Sequence, residues 1–183
     1  MDLSARDRIL ATAHDLFYRD GIRGTGIDRV IAEAGVTKVT FYRHFPSKND
    51  LVLAFLAHRH GLWMSWFTDA LRRHAPPKGP PLGALLPALS EWFRSEGYRG
   101  CAFINIVAEL GDTVPGAREA VRAHKADMAA AIAPLLPAGR TRRGDAAAVA
   151  LIVDGAIVQA QMAGDGADAL KAAARALRSF DPD

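Results

Sequence analysis

The chain has 183 residues, of which 50% are hydrophobic, and it carries a formal net charge of +3 and one cysteine. A single cysteine excludes an internal disulfide and suits a reducing compartment, and the longest apolar run, Ala146 to Val153, is too short to span a membrane. Because Ala, Leu and Arg are abundant and alternating β-branched runs are rare, we expect a cytoplasmic, all-α protein of one or two compact domains.

The first predicted helix runs from about Ala5 to Arg19, with Ser4 as its N-cap and Gly21 at its end. A second, short helix follows, because apolar side chains recur there at positions i, i+3, i+4 and i+7. These side chains are Ile27, Val30, Ile31 and Ala34. Gly35 can adopt the left-handed conformation that ends a helix, so the pattern predicts a tight turn at this point.

A third helix begins after that turn, where the hydroxyl of Thr37 can cap a free N–H group. Phe41 and Phe45 lie one turn apart and form its inner side. The outer side presents polar and basic side chains, which are Lys38, Thr40, Tyr42, Arg43 and His44. No carboxylate occurs between Glu33 and Asp50, so this face meets a polyanion without repulsion, as a helix entering the DNA major groove requires.

The N-terminal third of the chain resembles the DNA-binding domain of the TetR family of transcriptional regulators. The matching pieces are the helix from Arg6 to Asp20, Gly21 with Thr25, and the segments IAEAGVTK, TFYRHF and PSKNDL. Five linked pieces in the same order are far more specific than a single helix-turn-helix pattern.

The resemblance implies roles for individual residues of this segment. It implies that Thr40 and Tyr42 reach bases or the adjacent backbone, and that Lys38 reaches a base edge or a phosphate. A further group is implied to contact phosphates, namely Thr25, His44 and Lys48. Val39 occupies a position where the family often has Gly. Its branched side chain should either hold the helix slightly off the DNA backbone or reach an apolar base edge such as a thymine methyl. The complete set of predicted DNA-binding residues is Thr25, Thr37, Lys38, Val39, Thr40, Tyr42, Arg43, His44 and Lys48.

Breaker residues predict the domain organisation. Pro46 ends the third helix, and Ser47 with Asp50 forms a capping box that starts a long linking helix over residues 47–74. We expect a three-helix helix-turn-helix domain in residues 1–46, a helical ligand-binding and dimerisation domain in residues 47–183, and about nine helices in all. The later helices are predicted at Leu82–Ser95, Cys101–Leu110, Pro115–Leu136, Arg143–Ala163 and Gly166–Phe180.

Aromatic side chains in the C-terminal part, with a few polar ones, are typical of a pocket for an apolar ligand. The candidate lining residues are Trp63, Trp66, Phe67, Trp92, Phe93, Cys101, Asn105, Glu109, His124 and Met128. Core packing is the alternative for each aromatic residue, and a lone histidine such as His124 is more often a hydrogen-bonded core residue than a ligand contact.

Two helices near the C-terminus carry small and apolar residues on neighbouring faces, which lets helices approach closely. The candidate interface residues are Leu151, Asp154, Gly155, Val158, Met162, Leu170, Ala174 and Leu177. The family resemblance implies that these helices pair with their copies in a four-helix bundle of a homodimer. The alternative is that they close the core of the monomer.

Enzyme signatures are missing from the sequence, which has no Gly-rich phosphate loop, no G-x-S-x-G and no His-Glu-x-x-His. We therefore expect no enzyme, no cofactor and no metal site. The expected function is a homodimeric repressor that a small apolar or amphipathic effector releases from a near-palindromic operator in double-stranded DNA. Two alternatives stay open: a regulator that senses oxidants or electrophiles through Cys101, and a small-molecule-binding helical protein without DNA activity.

Overall fold

A computed structural model describes residues 3–180, and every regular element within that range is a helix. The predicted all-α fold is therefore confirmed. The nine α-helices of the described chain are α1 (Ala5–Asp20), α2 (Ile27–Glu33), α3 (Lys38–His44), α4 (Lys48–Arg73), α5 (Leu85–Phe93), α6 (Ala102–Leu110), α7 (Ala117–Ile132), α8 (Arg142–Ala163) and α9 (Ala167–Leu177). Three short 3₁₀ helices accompany them, at Pro81–Ala84, Ala133–Leu135 and Arg178–Phe180.

Side-chain caps begin three of these helices, as the sequence predicts. The hydroxyl of Ser4 accepts a hydrogen bond from the N–H of Asp7 at 3.2 Å. The hydroxyls of Thr37 and Ser47 accept equivalent bonds from N–H groups three residues further on, at 3.1 and 3.2 Å. Each cap satisfies a backbone donor that has no partner inside its helix, so the starts of α1, α3 and α4 follow from local chemistry.

Prolines explain where the observed helices are shorter than predicted. The predicted helix from Pro115 to Leu136 is α-helical only over α7, and a 3₁₀ turn containing Pro134 continues it. The predicted helix from Leu82 likewise begins as a 3₁₀ turn, with Pro81 in its first turn, before α5 starts at Leu85. Proline lacks the N–H that an α-helix interior needs, so the chain adopts tighter turns at these points.

Contacts divide the described chain into two compact units. The first unit contains residues 3–61 and 102–122, and the second contains residues 62–101 and 123–180. This division places α6 in the same unit as the N-terminal helices, whereas the predicted domain boundary falls between residues 46 and 47. The predicted boundary between the two domains stays a prediction.

The core of the first unit forms where α1 packs against α2 and α3. Ile9, Ala13, Leu16 and Phe17 of α1 are buried, as the helical pattern predicts, and the Phe17 ring meets the edge of Phe55 at 5.5 Å between ring centroids. Aromatic and aliphatic side chains thus fix α1 as the support on which the two shorter helices rest.

The second unit is built around the pairing of α8 with α9. Small side chains lie at the contact, which lets the two helices approach closely. These are Ala156 and Ala160 of α8 with Ala169 and Ala173 of α9.

Candidate functional site

The short helix α3 has one buried and one exposed side. Phe41 and Phe45 are buried in the first unit, and the guanidinium of Arg6 lies over the Phe45 ring at 5.4 Å from its centroid. On the opposite side Val39 is 79% exposed and Tyr42 is 40% exposed. Large apolar groups exposed on a helix anchored by two phenylalanines are positioned to contact another molecule.

The turn between α2 and α3 sets the angle at which α3 is presented. Gly35 has φ of +62°, the left-handed conformation that the sequence predicts. The N–H groups of Gly35 and Val36 donate to the carbonyls of Ala32 and Ile31, which satisfies the end of α2. The arrangement of α2, turn and α3 on α1 is that of a helix-turn-helix.

The exposed face of α3 is free of acidic side chains of its own. The only ion pair that the described chain gives to a residue of α3 is a long one between the Nζ of Lys38 and Asp28, at 3.7 Å, and both side chains are exposed. Arg43 is exposed near the end of the helix, and His44 is half-buried. Thr37 and Thr40 share a hydrogen bond of 3.0 Å between their hydroxyls. This face therefore presents positive charge, hydroxyls and apolar surface together, which suits contact with both phosphates and bases.

Two predicted phosphate contacts have other partners in the structure. Thr25 is fully buried and its hydroxyl donates to the carbonyl of Gly21 at 2.7 Å, so its side chain is not available to a phosphate in this conformation. The ammonium of Lys48 donates to the carbonyls of Ile22 and Thr25, at 2.6 and 2.7 Å. Burial lowers the pKa of Lys48, against a smaller opposing effect of Glu109.

Glu109 also departs from its predicted role in a ligand pocket. Its carboxylate accepts hydrogen bonds from the backbone N–H of Ile22, at 3.0 Å, and from that of Arg23. A carboxylate held by the loop between α1 and α2 is not available to line a pocket in this conformation, so the assignment of Glu109 is corrected. Asn105, one turn earlier on α6, is half-buried in the same first unit.

Most of the predicted aromatic residues meet in the second unit. The Trp63 ring stacks on Phe67 at 4.5 Å between centroids. The rings of Trp92 and His124 meet the Trp63 ring edge-on, at 5.6 and 5.0 Å between centroids. Trp66 lies 5.8 Å from Trp92, and Met128 is buried. The indole N–H of Trp63 is buried and finds no hydrogen-bond acceptor among residues 3–180. Burying a hydrogen-bond donor without an acceptor costs folding free energy. The aromatic cluster around Trp63 contains one such donor.

Phe93 lies at the edge of this aromatic group, with its ring 6.2 Å from that of Trp92 between centroids. It packs with Tyr98 against the alanines of α8 and α9, and the hydroxyl of Tyr98 donates to the carbonyl of Ile157 at 2.7 Å. Phe93 therefore also packs into the core of the second unit, and its assignment to the pocket stays a prediction.

An ion-pair network around Glu91 escaped the sequence analysis. Its carboxylate accepts the indole N–H of Trp66 at 3.1 Å and a bidentate pair from Arg73 with both distances at 2.8 Å, and it contacts His74 at 2.8 Å. The bonds from Arg73, then those from His74, lower the pKa of Glu91 to about 2. No local pattern links Glu91 to residues some 17 to 25 positions earlier, so only the tertiary structure reveals the network.

Cys101 lies just before α6 rather than in its first turn, and it is buried. The ammonium of Lys125 lies 3.4 Å from its sulfur and also donates to the carboxylate of Asp154. Sequence reasoning missed Lys125, and it assigned Asp154 to the dimer interface. Because Asp154 is paired within the chain, its carboxylate serves the second unit in this conformation.

The remaining interface candidates divide by exposure. Leu151 and Met162 of α8 are 73% and 68% exposed, and Gly155 and Val158 continue the same face at helical spacing. Leu170 and Ala174 of α9 are half-buried, whereas Leu177 is buried in the monomer and is corrected to a core residue.

Among the described residues, α8 alone is long and apolar enough to cross a membrane by length and composition. Of its most apolar 18-residue stretch, 39% is buried by packing within the protein.

Within residues 3–180, no group of three or more His, Cys, Asp or Glu side chains is arranged to hold a metal ion.

An anchored helix-turn-helix with an exposed, acid-free recognition helix, followed by a helical C-terminal part, defines a DNA-binding transcriptional regulator. The family model of bacterial regulatory proteins of the tetR family matches residues 9–55. A solved TetR-family transcriptional regulator from Streptomyces coelicolor is 33% identical, covers 97% of this chain and 96% of its own, and superposes with a TM-score of 0.79. The chain belongs to the TetR family of transcriptional regulators.

Other relatives include both a transcriptional activator and a transcriptional repressor. The transcriptional activator FasR of Mycolicibacterium smegmatis is 32% identical over 51% of this chain, and the repressor NemR of Escherichia coli is 24% identical over 74%. The solved reduced form of E. coli NemR is 21% identical, covers 97% of this chain and 98% of its own, and has a TM-score of 0.81, which shows the shared fold. The chain spans about half the length of the first curated relatives, with 43% of FasR covered.

Proposed function

We propose that the protein is a homodimeric repressor that binds a near-palindromic operator through α3 and releases it when a small apolar or amphipathic effector binds the second unit. The observation that carries the proposal is the outer face of α3, where Val39 and Tyr42 are exposed beside Lys38 and Arg43 without a carboxylate of that helix. Operator binding implies a cytoplasmic location, and no enzyme activity, cofactor or metal is part of the proposal.

DNA binding is tested by fluorescence anisotropy with double-stranded DNA from upstream of the protein's own gene. Arg43→Ala should weaken binding and lower the slope of log affinity against log salt by about one unit per subunit, because one phosphate contact is lost. Arg175→Ala removes an exposed arginine from α9 and serves as the charge-matched control. Equal losses for both variants, or no binding by the wild type, would contradict the proposal.

The homodimer is supported by the apolar stripe on α8. Leu151 and Met162 expose most of their side chains, and Gly155 between them allows a second helix to approach closely. A two-fold dimer would present two copies of α3 to two half-sites about one DNA turn apart, or a multiple of it.

The effector site is proposed at the aromatic cluster of the second unit. Trp63 supports this placement, because its buried N–H lacks an acceptor among the described residues and a bound acceptor would satisfy it. Native mass spectrometry of protein purified from its host should reveal a bound small molecule. Trp63→Phe should weaken its retention more than Phe67→Leu, which keeps the indole donor while changing the neighbouring apolar surface.

A second candidate function is the sensing of electrophiles through Cys101. The contact that favours it is the Lys125 ammonium at 3.4 Å from the sulfur, which places a proton donor beside the thiol. The thiolate would add to the β-carbon of an unsaturated carbonyl compound, forming a C–S bond at the expense of the C=C π bond, and Lys125 would supply the proton to the α-carbon.

The thiol reaction separates the two candidates. If Cys101 of the native protein is alkylated no faster by N-ethylmaleimide than in a denatured control at pH 7, the sensing function fails. If it reacts faster, Lys125→Met should slow the reaction, alkylation should reduce operator affinity, and Cys101→Ser should bind the operator whether or not the reagent is present.

A further inference from the structure

The loop from Gly21 to Thr25 joins α1 to α2, and two of its backbone N–H groups are bound by a side chain from outside the N-terminal helices. The N–H of Gly21 is used by α1 itself, bonding to the carbonyl of Phe17 at 3.1 Å. The next two N–H groups, of Ile22 and Arg23, both donate to the carboxylate of Glu109, one to each oxygen. Two successive amides aimed at one anion form a concave anion-binding arrangement, and bonds to a carboxylate are stronger than bonds to a neutral acceptor.

The loop is shaped to admit that carboxylate. Gly21 has φ of +80°, and a Cβ built at this position would lie 3.2 Å from an oxygen of Glu109. A side chain at residue 21 would therefore be strained by the backbone conformation and would also crowd the carboxylate.

The carbonyl side of the same loop is held by the opposite charge. Lys48, at the start of α4, donates to the carbonyls of Ile22 and Thr25. The buried hydroxyl of Thr25 closes the loop on itself by donating to the carbonyl of Gly21. A carboxylate and an ammonium that are far apart in sequence thus satisfy one short loop from both sides.

The loop sets the position of the helix-turn-helix. The loop leads directly into α2, and α2 leads through the turn at Gly35 into α3. Arg29 of α2 also forms an ion pair of 2.9 Å with Asp20 at the end of α1. A change in loop conformation would alter the angle between α1 and α2 and would move α3 with it.

We propose that Glu109 is a positioning residue for operator binding, which holds the loop between α1 and α2 in the conformation that presents α3 to DNA. The inference rests on the proposed DNA-binding function. It assigns to α6 a direct contact with the helices α1 to α3, here called the reading head. The contact is made by a residue that lies outside the DNA-binding face and carries the same sign of charge as the operator.

The experiment compares Glu109→Gln and Glu109→Ala with Glu119→Gln, an exposed acid in the first turn of α7 in the same unit. Amide hydrogen exchange, measured residue by residue, should accelerate about tenfold or more at Ile22 and Arg23 in Glu109→Ala, less in Glu109→Gln, and not at all in the control. Exchange in α9 should stay as in the wild type, which distinguishes loss of the loop contact from global destabilisation.

Operator affinity is measured on the same proteins. We expect Glu109→Ala to weaken binding about three- to tenfold with an unchanged salt slope, because no phosphate contact is removed. Unchanged exchange at Ile22 and Arg23, or faster exchange with wild-type affinity, would overturn the inference. If the wild type binds no DNA, the proposed function fails, while the exchange data still decide whether Glu109 holds the loop.

Discussion

Lys48 distinguishes the role that the family motif implies from the role that the structure indicates. The motif implies a phosphate contact, whereas the structure places its ammonium on the carbonyls of Ile22 and Thr25. Replacing Lys48 by Met removes the charge and both hydrogen bonds but keeps an apolar stem of similar length. The two roles therefore predict different outcomes for a single variant.

The size of the effect follows from the two lost bonds. A buried hydrogen bond to a charged group contributes roughly 1.5–3 kcal/mol, and Lys48 is only partly buried, so we expect a total loss of about 2 kcal/mol in the free energy of unfolding. For a chain of this size such a loss lowers Tm by roughly 4–8 °C. A phosphate contact would instead leave Tm unchanged and contribute about 0.9 units to the salt slope for each subunit.

Thermal melting and salt-dependent operator titrations are run on Lys48→Met and on Lys38→Met. Lys38 is the matched control, because its side chain is 67% exposed and its ion pair with Asp28 is long. We expect Lys48→Met to lower Tm at constant salt slope, and Lys38→Met to lower the slope by about one unit per subunit at constant Tm. The reverse pattern would show that Lys48 binds phosphate and that its hydrogen bonds to the loop contribute little.

Three other predictions concern the reading head, the assembly and the response to acid. Tyr42→Ala should weaken specific operator binding by roughly 1–3 kcal/mol without changing Tm, and equal losses on operator and random DNA would argue against a base contact. Leu151→Asp should produce monomers in sedimentation velocity, whereas Leu62→Asp, an exposed leucine on α4, should leave the oligomeric state unchanged, and a monomeric wild type would refute the dimer. The hydrogen bonds from Arg73, then that from His74, lower the pKa of Glu91 to about 2. The ionised Glu91 carboxylate therefore stabilises the folded state fully above about pH 4.5, and this stabilisation is lost as pH falls toward 2. Melting curves of Glu91→Gln should therefore show a smaller loss of Tm than the wild type across that range, and parallel curves would contradict the assignment.

Local patterns in the sequence predict the helices of the reading head and the side chains that α3 presents. Ser4, Thr37 and Gly35 act within three or four residues of themselves, so their roles follow from spacing alone. The same logic identifies Phe41 and Phe45 as the inner side of α3.

Contacts between distant segments could not be predicted in the same way. Glu109 binds an amide 87 residues earlier, and Lys125 approaches a sulfur 24 residues earlier. Periodicity describes which face of a helix is buried, but it does not identify the partner on another helix. Polar groups such as Glu109 and Asp154 were therefore assigned to a pocket or an interface, although they satisfy groups within the chain.

The contact between Glu109 and the α1–α2 loop has a practical consequence for hybrid regulators. A chimera that joins residues 1–46 to the C-terminal part of another family member would separate the loop from the acid that completes it. The graft would keep the whole outer face of α3 and would still leave the N–H groups of Ile22 and Arg23 without their acceptor. Transplanting this specificity therefore requires a host whose own α6 offers a carboxylate at the equivalent place, or the transfer of α6 together with the reading head.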